Sequence, residues 1–129
     1  MVSLGITTRE VDGATIVTLT GRIVFGEGSN ALRSTVKSLI AEGKQKIVLN
    51  MRSIEHIDSA GLGLLVAAHI SMKAHGAAPR LCGVGDKVQE VLQLTRLSTV
   101  FQVCGTEAAA IASLSKPTPI ATMQATDNA

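Results

Sequence analysis

Tryptophan and tyrosine are absent from this 129-residue chain, and phenylalanine occurs only twice. Without aromatic side chains there is no stacking platform for single-stranded nucleic acid. Charge of one sign is also lacking. Twelve Lys and Arg stand against ten Asp and Glu, a net +2 that is too weak to argue for nucleic acid or an acidic membrane. Cysteine is scarce: Cys82 and Cys104 show no metal-ligand or redox spacing and read as small buried apolar residues. The longest strongly apolar run, Leu62 to Ile70, is too short to span a bilayer, so no membrane insertion is expected. Met1-Val2-Ser3-Leu4-Gly5 offers no basic region followed by an apolar stretch, which predicts a cytoplasmic protein. Gly26-Glu27-Gly28 lacks the third glycine of a dinucleotide fingerprint, and Gly83-Val84-Gly85 lacks a phosphate-binding lysine at the right offset. Both read as turns, and no cofactor is expected.

What remains is a core of Leu, Ile, Val, Ala and Met in a chain long enough to bury one. Thr7 to Val11 and Ala14 to Thr20 are strand-like runs flanking Asp12-Gly13, a two-residue hairpin signal. A helix is predicted from about Ser29 to Ala41, stopped by Gly43, and Lys46 to Leu49 reads as a short strand covered on both faces. Ser59 to about His75 reads as a helix with apolar residues round much of its circumference, which implies deep burial. Strand Arg80–Val84, a helix capped by Asp86, strand Val100–Val103 and a helix from Thr106 to Ser113 complete the order. The pattern β-β-α-β-α-β-α-β-α predicts an α/β domain over residues 1–114: a mostly parallel sheet of four to five strands, an N-terminal antiparallel hairpin strand and four helices. Residues 115–129, holding Pro117 and Pro119, show no periodicity and are expected to be a disordered tail.

The most informative stretch is Asp58-Ser59-Ala60-Gly61-Leu62-Gly63, where an apolar strand gives way to the second helix. Asp and Ser are residues that cap helices, because their side-chain oxygens accept from unpaired N–H groups. A serine there, followed by residues of little bulk, is also open to a visiting protein, at a place where the backbone favours added negative charge. Gly61 and Gly63 suit either close helix–sheet packing or a low-relief docking surface. A Ser-His-Asp reading of Ser59, His56 and Asp58 fails, since all lie within four residues and no Gly-x-Ser-x-Gly elbow exists. His69 and His75 are not at metal-site spacing. Phe25, between Val24 and Gly26, is either a lid on the core or a partner anchor.

The run from Ile47 through Asn50-Met51-Arg52-Ser53-Ile54-Glu55-His56-Ile57 to Asp58-Ser59-Ala60-Gly61-Leu62-Gly63 resembles the motif of STAS domains. It is most similar to that of the bacterial anti-sigma-factor antagonists of sporulation and stress control. The resemblance covers residues 5 to 114, because the order of elements fits as well. It implies a non-enzymatic regulator working by partner switching. Such a protein binds an anti-sigma factor that is itself a serine kinase, is phosphorylated at the position of Ser59, and is reset by a metal-dependent serine phosphatase. Asp58, Ser59, Ala60, Gly61, Leu62, Gly63 and Phe25 would then form the partner-binding surface. Two alternatives share the fold: a scaffold subunit of a stress-sensing complex, and an adaptor subunit of a lipid or anion transporter. Two departures stand out. Asn50 occupies a place where members often carry Asp, which would lower the acidity near the serine, and Arg22 to Gly26 lacks the acidic residue common after the second strand.

Overall fold

The structure is a computed structural model that describes residues 4–24 and 26–115. Five strands lie in the order β1-β2-β3-β4-β5: β1 (Leu4–Val11), β2 (Ala14–Ile23), β3 (Lys46–Ile57), β4 (Ala78–Cys82) and β5 (Val103–Cys104). The first pair is antiparallel and the other three are parallel. Four helices connect them: α1 (Glu27–Ala41), α2 (Ser59–Ala74), α3 (Asp86–Leu94) and α4 (Glu107–Ser115). This is the expected α/β order, with a 3-10 turn at Leu97–Thr99 added after α3. Phe25 and residues 116–129 lie outside the described residues.

Local chemistry makes the hairpin. Asp12 (φ 51°) and Gly13 (φ 81°) both adopt positive φ, the geometry of a two-residue turn whose twist matches its strands, and Val11 pairs with Ala14. Alternation along β2 then divides the core. Val17 and Leu19 face α1, α2 and α3, sharing a large cluster with Leu32, Leu65, Met72 and Leu92. Ile16 points to the opposite face and joins Val48, Cys82, Ala110 and Leu114 beneath α4.

Several boundaries move, and the largest shift concerns the site. Strand β3 runs for twelve residues to Ile57, well past its expected end at Leu49. Its buried residues change spacing part-way: Ile47, Leu49 and Met51 alternate, then Ile54 and Ile57 follow at intervals of three. Two register shifts against β2 explain this, because the three steps along β3 from Asn50 to Ser53 span the two from Thr18 to Thr20, and the two from Ile54 to His56 span the one from Gly21 to Arg22. Each bulge inserts a residue and resets the alternation. Strand β2 correspondingly runs on to Ile23 rather than ending at Thr20, and β1 starts at Leu4 rather than Thr7. Strand β4 lies at Ala78–Cys82, two residues earlier than expected. β5 is only Val103–Cys104, since Val100 and Phe101 bond back to Leu97 through the 3-10 turn. Gly85, not Asp86, occupies the cap position of α3. Helix α4 runs through Ser115, past the expected end of the helix at Ser113.

Candidate functional site

The long β3 carries the chain to the end of the sheet beside the end of β2. Ile57 pairs with Ile23, and the Asp58 amide donates to the Ile23 carbonyl (3.3 Å). There the backbone turns into α2. Asp58 is extended (φ −99°, ψ −179°), its Oδ1 accepts from the Gly61 amide at 2.7 Å, and its carbonyl accepts from Leu62 at 2.8 Å. Asp58 alone is therefore the cap. Ser59 is the first residue of the helix, exposed, and among the described residues its hydroxyl takes part in no hydrogen bond. The residue that caps the helix and the exposed serine are thus separate.

The six-residue motif divides between surface and interior. Ser59, Ala60 and Gly63 are exposed, Asp58 is half-buried, and Gly61 and Leu62 are buried. A Cβ on Gly61 would sit 1.7 Å from the Ile23 carbonyl oxygen, so only glycine lets α2 approach β2 this closely. Of the two roles open to Gly61, packing is the one the geometry fits. A Cβ on Gly63 would meet nothing within 4 Å, so packing does not demand a glycine there. Nor is α2 buried all round: Ile70 is 59% exposed.

Strand pairing sets Arg22 beside His56, both exposed, immediately before the helix start. These neighbours are not evident from the sequence, where 33 positions separate them. Asn50 is not a neighbour of Ser59. It pairs with Thr18, five β2 residues from the Ile23 that adjoins Asp58, or about 16 Å at the rise of a strand. Its amide donates to Glu107 Oε2 (2.9 Å) while its Oδ1 accepts from the Arg52 amide (3.0 Å). Arg9 pairs with the same Glu107. The Arg9 hydrogen bond, more than the Asn50 one, holds the Glu107 carboxyl below its ordinary range against a smaller opposing effect of burial. Asn50 thus anchors α4, a role in which a second carboxylate would repel Glu107.

The other titratable groups do not converge on Ser59. His69 is buried with its ring edge-on to Phe101 (centroids 5.0 Å), and burial, then Lys73 and Arg80, lower its pKa. His75 donates from Nδ1 to the Ser71 carbonyl (2.9 Å). Burial, then Glu107 and Cys104, push the Cys82 thiol up to about 11, so it stays protonated. Cys82 is buried and Cys104 half-buried, and both are free. Among the described residues no group of three His, Cys, Asp or Glu could hold a metal ion, and no helix is long and apolar enough to cross a membrane.

A mixed sheet of this order, with an exposed serine opening an Asp-capped helix after β3, invites comparison with known proteins. A family model described as the STAS domain matches residues 5–110. The chain belongs to the STAS-domain family. The STAS domain is 24% identical over 114 residues to the Bordetella bronchiseptica protein BtrV, assigned as an anti-sigma factor antagonist, covering 88% of this chain and 97% of BtrV. A Thermotoga maritima crystal structure described as an anti-sigma factor antagonist superposes with TM-score 0.79 at 25% identity, covering 86% and 95% of the two chains. The phosphorylated form of the Bacillus cell-fate determinant SpoIIAA superposes with TM-score 0.66 at 20% identity (85% and 99%), a likeness of fold.

Proposed function

We propose that this STAS domain is a non-enzymatic anti-sigma-factor antagonist. It binds an anti-sigma factor with serine-kinase activity and is released when that kinase phosphorylates Ser59; a metal-dependent serine phosphatase reverses the modification. The observation that carries this reading is the separation of cap from acceptor. Asp58 satisfies the helix start, while the Ser59 hydroxyl is exposed at its first residue. A serine retained only as a cap would be expected to accept a backbone N–H, and Ser59 does not. The match to BtrV along 97% of that protein supports the same reading.

The physical consequences follow from position. Phosphorylation adds about −1.5 to −2 charges and three acceptor oxygens. At a helix N-terminus a negative charge gains about 0.3–1 kcal/mol, so the fold tolerates it. At a desolvated interface an unpaired dianion costs several kcal/mol, so the complex does not. Ser59, Ala60 and Gly63 supply the contact surface, with Asp58 at its edge and Gly61 and Leu62 shaping it from inside. The domain works in the cytoplasm, where its kinase and phosphatase would be.

The test is incubation of the purified domain with its cognate kinase and ATP, followed by intact mass and peptide mapping. One phosphoryl group on Ser59, with loss of the kinase complex, is the expected result. Modification at another residue, or none by an active kinase, would leave a scaffold rather than a switch.

A further inference from the structure

Beyond the serine, α1 and α2 enclose a groove of about 180 Å3. Its floor is apolar (Val36, Leu64, Ala67 and Ala68), and Arg33 and Lys37 stand on its α1 rim. All sixteen residues of α2 lack a carboxylate, and the one acidic residue of α1 is Glu27, at its start. Among the described residues neither Arg33 nor Lys37 reaches a carboxylate within 4.0 Å, although Arg33 Nη1 donates to Asn30 Oδ1 (3.1 Å). Ile70 and Lys73, farther along α2, are exposed. An apolar trough with a cationic margin thus lies on the two helices that flank the switch.

We propose that this groove receives an acidic amphipathic helix of the protein partner. Apolar side chains spaced three and four apart would enter between α1 and α2, and Asp or Glu on the same helix would meet Arg33 and Lys37. Charge selects this occupant. A second copy meeting face to face would set Arg33, Lys37 and Lys73 against a surface of the same sign, which costs rather than gains. An anionic bilayer matches the charge but is flat, whereas the groove is shaped for an inserted ridge. The proposal rests on the antagonist reading for the existence of a protein partner, and not on phosphorylation of Ser59.

The test places a photo-crosslinking benzoylphenylalanine at Ala67 of the full chain, irradiates it in its native host, and maps the linked peptides. The expected product joins position 67 to a segment with surplus Asp and Glu and apolar residues at helical spacing. Arg33→Glu with Lys37→Glu should cut the yield about tenfold or more while leaving circular dichroism and Tm unchanged. If that pair misfolds, Arg33→Gln with Lys37→Gln serves, and the native yield should also fall as salt rises from about 0.05 to about 0.5 M. Linkage to a second copy, to residues 116–129, or to a segment without surplus acid overturns the proposal. So does the absence of any product, or Arg33- and Lys37-dependent binding to phosphatidylserine vesicles. Ser59→Ala should keep the crosslink. An acidic helix captured from a protein with no kinase activity would therefore defeat the antagonist reading and leave this one standing.

Discussion

Helix α2 is apolar on both of its faces, and the two faces do opposite things. Inward, Gly61, Leu65, Ala68 and Met72 lie against the sheet with almost no exposed surface. Outward, Ser59, Gly63, Ala67 and Ile70 repeat at helical spacing and remain open. An amphipathic surface helix would carry charge on that second face. Small and apolar residues there instead keep the relief low and make the surface easy to desolvate. If the inner face serves stability and the outer face serves the proposed binding, substitutions two residues apart should separate them.

Gly61→Ala is the severest test. The new methyl would need the Ile23 carbonyl to retreat from 1.7 Å, and backbone in the sheet cannot yield as a flexible side chain can. A loss of about 3 kcal/mol or more in urea unfolding, or failure to fold, is expected. A variant as stable as the parent would mean that the two faces are not distinct in this way. Asp58→Ala comes next. It removes the acceptor of the 2.7 Å Gly61 bond and should cost about 1 kcal/mol, whereas Asp58→Asn should recover most of it. Gly63→Ala reverses the sign. Nothing lies within 4 Å of the added carbon, so helix propensity alone acts and the domain should gain up to about 1 kcal/mol. Gly63→Arg should fold equally well and lose the partner, as read by pull-down beside a thermal melt.

In the sequence the two glycines are indistinguishable, and the reason is physical. Whether a glycine is required depends on what a Cβ would strike, and for Gly61 that atom belongs to Ile23, 38 residues earlier. Features set by neighbouring residues were legible: the Asp12-Gly13 turn, the start of α2 at Ser59 and the alternation of β2. The second half of β3 was not, because its bulges change the apolar spacing from two to three and disguise a strand as a loop. Strand β5 was misplaced for a related reason. Two residues of pairing with β4 decide it, while the more apolar Val100 and Phe101 turn back on Leu97. Within the site, the motif pointed to Asp58 and Ser59 together, but only the hydrogen bond to Gly61 shows which residue caps and which stays open. The supposed bearing of Asn50 on the serine fails similarly, since register and not sequence distance puts it against α4.

Acid should sharpen the contrast between the sealed inner face of α2 and the polar attachment of α4, in two windows that open at different pH. His69, on the inner face, has a folded pKa below its ordinary 6.5, so the unfolded chain takes up the proton first. Stability should therefore begin to fall as pH drops through the ordinary histidine range, and continue falling until the folded pKa is reached. Glu107 also has a lowered folded pKa, but as a carboxylate. Its contribution is complete above the ordinary 4.5 and is lost only as pH falls from there through the folded value. Because the Arg9 side chain is 51% exposed, the ion pair is worth about 0.2–1 kcal/mol at most and is weakened by salt. Urea unfolding from pH 8 to pH 3 should show both losses in the parent domain. His69→Phe should flatten the upper window only, and Glu107→Gln the lower window only, with high salt reducing the lower loss more than the upper. If a single substitution flattened both, the two helices would be titrating as one unit, and the sealed face of α2 could no longer be treated apart from the clamp on α4.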